Sequence, residues 1–246
     1  MLMRSQIEAM RAVTFVAAAQ VDRSHHGGSD AVRAAAESRL SLLTPIVKGW
    51  CTEKSEEVTS LGIQIHGGMG YVEETGAAQH YRDARILAIY EGTNGIQAAD
   101  LAGRKVLGDE GQEISKLIAE LREACAGMQD DDALSAIAAA VGAGLDQLEQ
   151  GVKWLLANAM NHPAALGASS YNLLMLAGTV LGAAYLAKGI AAARAAGGTD
   201  AAFLEEKVAT TAFYCAHVLP RAQGYLAAMT ADPAVTMALP ADAFLD

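Results

Sequence analysis

Residues 61–107 read LGIQIHGGMGYVEETGAAQHYRDARILAIYEGTNGIQAADLAGRKVL, and the fold turns on this stretch. Apolar residues at helical spacing lead into it: Ile46, Trp50, Val58, Leu61 and Ile65. A glycine-rich turn, His66 to Tyr71, then breaks the pattern. A short helix is expected from Thr75 to Ala88, with Arg82, Asp83 and Arg85 as its polar side. Tyr90-Glu91-Gly92 interrupts again. Thr93 has the chemistry of an N-cap for a helix through Leu107, stopped by Gly108. No segment reads as a strand.

Upstream, Met1 to His26 has helical spacing and stops at Gly27-Gly28. Ser29 or Asp30 can cap the next helix, which runs to about Gln64. Pro45 lies inside it, so a break or restart is expected near Thr44-Pro45. Glu53, Lys54, Glu56 and Glu57 read as a solvated face.

Downstream, Asp109-Glu110-Gly111 marks a change of composition, and the domain boundary is placed there. The expected domains are 1–108 and 109–246. Four helices are expected beyond it, near Gln112–Met128, Asp131–Asn161, Pro163–Ala196 and Asp200–Thr230. Their short connections favour an up-and-down arrangement. The tail from Asp232 reads as irregular. The expected fold class is all-α: two helical bundles in succession.

Composition agrees. Of 246 residues, 52% are hydrophobic and only 5% aromatic, with mean hydropathy +0.19, so disorder of the whole chain is excluded. A net charge of −10 argues against nucleic acid as a partner. Cys51, Cys125 and Cys215 are scattered and odd in number, which fits reduced thiols and a cytoplasmic location. Arg4, Glu8 and Arg11 rule out a secretory h-region. Residues 163–187 carry no charge, but Ser169, Ser170, Asn172 and Thr179 dilute them. A helix surrounded by others explains that run better than a membrane span.

Residue chemistry alone takes the function only part of the way. Glu91, beside an aromatic and after an apolar run, can be desolvated into a general base; a capping or surface glutamate is the plainer reading. Gly67-Gly68-Met69-Gly70 lacks a preceding strand, a G-x-G-x-x-G register and a Gly-Lys-Ser/Thr. The histidines show no metal-ligand spacing, so no metal is expected.

Three motifs in order carry a family resemblance. Gln64-Ile65-His66-Gly67-Gly68-Met69-Gly70-Tyr71, Arg82-Asp83-Ala84-Arg85-Ile86 and Ile89-Tyr90-Glu91-Gly92-Thr93-Asn94-Gly95-Ile96-Gln97 together resemble the C-terminal helical domain of the acyl-CoA dehydrogenases. The bundle beyond Gly108 resembles the extension of the longer members, most closely the 3-methylmercaptopropionyl-CoA dehydrogenase type. The resemblance implies an FAD enzyme that desaturates an acyl-CoA thioester and passes electrons to electron-transferring flavoprotein. It implies Glu91 as the base for the α-proton while the β-hydride passes to flavin N5. The Glu91 amide would bind the thioester oxygen. Thr93 would contact FAD. Gln64, Gly67 and Gly68 would touch the FAD of a neighbouring subunit. Tyr90, Glu91 and Gly92 would line the substrate site. Gly95 departs from the glutamine of many members. The middle β-domain that carries much of the flavin contact has no counterpart here. The chain is therefore expected to be a fragment, inactive alone and with weak or absent FAD binding. Self-association into a dimer or larger is expected to cover its open faces. The alternative is a non-catalytic oligomerisation or adaptor module that kept the packing motifs. The intact Glu91 and Thr93 count against it.

Overall fold

The computed structural model describes residues 1–128, 132–162 and 164–244, and these contain helices and turns but no strand. The all-α expectation holds. Helices α1 (Leu2–His26) and α2 (Asp30–His66) form a hairpin. Ser29 is the cap between them, its Oγ accepting from Val32 N–H at 3.3 Å.

Pro45 does not break α2. The helix is continuous for 37 residues. An interior proline costs about 3 kcal/mol. Leu42, Leu43 and Ile46 around it are 0–2% exposed, and their burial outweighs that cost.

After α2 come a single turn, α3 (Gly68–Tyr71), a 3-10 turn at Glu73–Thr75, and α4 (Ala77–Leu87). Helix α5 (Asn94–Ala99) widens into a π-helical segment at Asp100–Leu107. The expected helix to Leu107 is present, but its second half has the wider turn. Beyond it lie α6 (Gln112–Ala126), α7 (Asp132–Asn158), α8 (Ala165–Ala196), α9 (Ala201–His217) and α10 (Arg221–Met229). The single helix expected over Asp200–Thr230 is two. Val218 and Leu219 N–H both bond to Tyr214 O, at 2.9 Å each, and the chain turns at Pro220. Proline has no N–H to continue the ladder but is tolerated at a helix start. The expected turn residues 129–131 and Pro163 lie outside the described residues.

Helix α8 is the axis. It packs on α1, α2, α5, α6, α7, α9 and α10, and 89% of its most apolar window is buried. The residues that could suit a membrane are spent on the protein core. Its glycines let the other helices close in. A Cβ on Gly178 would sit 2.0 Å from Trp50 Cγ; one on Gly182 would sit 3.1 Å from Ala9 Cβ and 2.8 Å from the Tyr214 hydroxyl. One hydrophobic cluster therefore joins Val13, Trp50, Leu121, Leu145 and Leu181 across residue 108.

The run Glu53 to Glu57 is not a solvated face. Lys54 is buried. Glu57 takes two bonds of 2.8 Å from Arg221 of α10 and pairs with Lys54. Burial pushes the Glu57 carboxyl up, but the Arg221 hydrogen bonds and the Lys54 charge outweigh it, and its pKa lies below the ordinary value. A depressed carboxylate stabilises the fold above its unfolded pKa of about 4.3 and loses that contribution as pH falls through the folded value. Thermal melts of Glu57→Gln should therefore fall below wild type at pH 7 and converge with it at pH 3. The part-exposed pair sets the scale at about 1 kcal/mol.

Candidate functional site

The loop between α4 and α5 reverses the chain at Glu91 and Gly92. Both have positive φ, 51° and 87°. Glycine adopts this freely, but glutamate pays about 1–2 kcal/mol for it. Such strain persists only where the surroundings hold it. Glu110-Gly111 also has positive φ at both residues, 56° and 73°, at an ordinary helix junction, so strain alone does not mark a site. What differs is the bracing of the Glu91 loop.

Lys48 of α2 donates to Gly92 O at 2.7 Å and to Asn94 Oδ1 at 3.0 Å. Asn94 is buried, and its Nδ2 donates to Glu53 Oε1 at 2.8 Å and to Thr52 Oγ1 at 2.9 Å. Tyr171 of α8 donates to the other Glu53 oxygen at 3.1 Å. Asn94 N–H closes the loop on Ala88 O at 3.1 Å. Thr93 Oγ caps α5 by accepting from Ile96 N–H at 3.4 Å. The base of the loop is thus fixed from two helices, while Tyr90, Glu91, Gly92 and Thr93 are exposed. The Glu91 amide N–H enters no hydrogen bond among the described residues. Burial lowers the Lys48 pKa, and the charges of Glu53 and Glu91 push it back up.

Lys48→Met should leave the helices intact and free the loop. Hydrogen exchange at Gly92 to Asn94 should speed up, while α1 and α8 amides keep their protection. Unchanged exchange at those residues would show that Lys48 does not hold the loop.

Gln64, Gly67 and Gly68 form a second cluster, at the C-terminal end of α2. All three are exposed. Helix α3 makes no contact with α5. Thr52 and Gln64 are twelve residues apart on α2, about 18 Å along its axis. The candidate residues therefore form two groups: Tyr90, Glu91, Gly92 and Thr93 in one, Gln64, Gly67 and Gly68 in the other. A Cβ on Gly67 or Gly68 would meet nothing within 4 Å. Gly67 has φ 61°, which accounts for glycine there. At Gly68 neither backbone angle nor packing inside the chain calls for glycine, so it is suited to close approach from outside. Exposed apolar side chains border both groups, with Ile65 73%, Tyr71 82%, Tyr90 48% and Ile96 58% exposed. The described residues contain no group of three or more His, Cys, Asp or Glu able to hold a metal.

Comparison with known proteins adds the family. Residues 1–106 match the model "Acyl-CoA dehydrogenase, C-terminal domain", and residues 113–240 match "Acetyl-CoA dehydrogenase C-terminal like". The chain belongs to the acyl-CoA dehydrogenase family. It is 45% identical over 230 residues to 3-methylmercaptopropionyl-CoA dehydrogenase of Ruegeria pomeroyi, covering 88% of this chain and 37% of that protein. Two crystal structures share the fold. Caenorhabditis elegans ACDH-11 in complex with C11-CoA has a TM-score of 0.71 at 22% identity, over 86% of this chain and 34% of that one. Acyl-CoA dehydrogenase complexed with FAD from Bacillus anthracis has a TM-score of 0.66 at 19% identity, over 98% and 42%. The chain spans well under half the length of each of these relatives.

Within this acyl-CoA dehydrogenase chain, the bracing residues escaped the sequence reading. Lys48, Thr52 and Glu53 lie 38 to 46 residues before the loop they hold, and Tyr171 lies 80 after it. The available signal was that Lys48, Thr52 and Glu53 fall within two turns of one helix, beside the buried Trp50.

Proposed function

We propose that this chain is the C-terminal part of an FAD-dependent acyl-CoA dehydrogenase, comprising units 1–108 and 109–246, and that Glu91 is its α-proton base. The observation that carries the reading is the Glu91 loop: a carboxylate in a left-handed backbone, exposed at its tip and bonded at its base to α2. Braced in this way, the carboxylate can meet a substrate with little reorganisation. A carboxylate is a weak base for a thioester α-proton. Two features help. A bound acyl chain excludes water from around the carboxylate. The free Glu91 amide N–H can donate to the thioester oxygen as negative charge develops there. Glu91 takes the α-proton, and Tyr90 and Gly92 flank the acyl group.

FAD, when bound, supplies the hydride acceptor. The residues fit such a group: Gly68 is bare without internal cause, and Gln64 and Gly67 are open beside it. Thr93, although its oxygen caps α5, keeps its hydroxyl proton for an outside acceptor. The separation of the two groups fits contacts to two different cofactors, one belonging to a neighbouring subunit. The exposed Ile65, Tyr71 and Ile96 support burial against further protein, so the complete enzyme is a homo-oligomer. Electron-transferring flavoprotein as acceptor and a cytoplasmic location complete the proposal; the acceptor rests on the family alone.

Alone, the chain neither retains FAD nor turns over. Mixing it with FAD and acyl-CoAs of several lengths should yield no enoyl-CoA by mass spectrometry, while the full-length enzyme yields it under the same conditions. Enoyl-CoA formed by the isolated chain would overturn the claim that its pocket is incomplete.

A further inference from the structure

One cavity lies away from the Glu91 loop. It has a volume of about 620 Å³ and opens between α1, α2, α6 and α8. That size falls within the range of small-molecule sites. Its nearest part of α2, at Arg39, is nine residues from Lys48, about 13 Å along the helix. The cavity shares no residue with either group described above. Two of its four walls, α6 and α8, lie beyond residue 108.

Its charge is unlike that of the rest of the chain. The protein carries −10 overall, yet four cations and two carboxylates line this cavity: Arg23, Arg39, Lys116 and Lys188 against Glu113 and Glu120. Both carboxylates are already engaged. Arg39 bonds Glu113 at 2.6 Å and clamps Glu120 through two bonds of 2.8 and 2.9 Å. Glu113 also accepts from Ser38 at 3.3 Å. The Arg39 bonds lower the Glu120 pKa, with smaller help from the charges of Lys188 and Arg23. The side chains of Arg23, Lys116 and Lys188 make no ion pair or hydrogen bond among the described residues. They come from three different helices and border one concave space. A concave surface with a net positive charge concentrates anions. Val16, Ala34 and Ala35, which line the cavity and keep accessible surface, supply an apolar wall on which a flat ring can rest.

We infer that this cavity is a binding site for a phosphate-bearing ligand of nucleotide size. The phosphates take the place of the missing partners of Arg23, Lys116 and Lys188. The Arg39–Glu113–Glu120 cluster forms a fixed floor, and Val16, Ala34 and Ala35 receive the ring. The site requires α6 and α8, so it belongs to the extended chain and not to residues 1–106 alone.

Isothermal titration of this chain tests it, with inorganic pyrophosphate, magnesium-free ATP and citrate as probes. Saturable 1:1 binding is expected for pyrophosphate and tighter binding for ATP, both weakening as salt rises. Lys116→Ala/Lys188→Ala should weaken both by about 100-fold, since each of the two charged hydrogen bonds lost is worth about a factor of ten. Lys153→Ala, an exposed lysine outside the cavity, should change nothing. Melts of the variants should match wild type, because Lys116 and Lys188 are exposed. Absence of saturable binding to both phosphate probes, or equal affinity in the double variant, overturns the site. Citrate binding as tightly as pyrophosphate overturns the phosphate assignment. ATP binding no tighter than pyrophosphate overturns the nucleotide size.

Discussion

Glu91→Gln in the complete enzyme should lower kcat by about 10² to 10⁴-fold, the usual worth of a positioned general base. The amide keeps the size of the side chain but cannot take the α-proton. The Lys48 bonds reach Gly92 O and Asn94, not the Glu91 side chain, so the loop should keep its shape. KM should therefore move far less than kcat. Glu91→Gly separates strain from chemistry. It removes the base, and it also relieves a glutamate held at φ 51°. The chain should gain about 1 kcal/mol in a denaturant titration while the complete enzyme loses activity. Stability and activity moving in opposite directions is expected of a site that stores backbone strain. A destabilised Glu91→Gly would show that the backbone at Glu91 is not strained.

The second large effect concerns the core. Trp50→Ala should destabilise the chain by about 3–5 kcal/mol, the cost of emptying a fully buried aromatic site. That is a large share of the 5–15 kcal/mol typical of a folded domain. Gly178→Ala should also destabilise, by about 1–3 kcal/mol, because the new methyl would lie within 2.5 Å of Trp50 Cβ, Cγ and Cδ1. The two changes should not add. With Trp50 gone, the clashes with Cγ and Cδ1 disappear, and only the Cβ that alanine keeps at position 50 still crowds the new methyl. Gly178→Ala should then cost less in the Trp50→Ala background than in wild type, a coupling measurable by a double-mutant cycle. Simple additivity would contradict the packing of α8 on α2. Retention of the Trp50–Gly178 contact matters for the site too, since Gly49, Lys48 and Thr52 flank the same tryptophan.

Much of this was legible in the sequence because it is local. The Thr93 cap, the stop at Gly27 and the helical periods depend on residues within a few positions of one another. The two errors of helix continuity have one cause. Pro45 looked like a break because an isolated helix would break there, but Leu42, Leu43 and Ile46 are held in the core. Pro220 ends a helix that periodicity would have carried through, because Tyr214 O takes both Val218 and Leu219 N–H at the turn. The Glu53–Glu57 run departs from its expected solvated face for a related reason. Charge suggests water, but Glu53 faces Asn94 and Tyr171, and Glu57 faces Arg221. Pairing between distant helices leaves no trace in local composition. Of the candidate site, the residues at the tip of the loop were readable from motifs. Those that hold its base, Lys48, Thr52, Glu53 and Tyr171, required the fold.

The central claim is that Glu91 is the α-proton base. The direct measurement is deuterium incorporation from D₂O at the α-carbon of an acyl-CoA bound to the complete enzyme, followed by mass spectrometry. Wild type should exchange the α-proton, and Lys48→Met should exchange it more slowly. Glu91→Gln should show none above the enzyme-free rate. Exchange by Glu91→Gln at the wild-type rate would contradict the account and move the base to another residue.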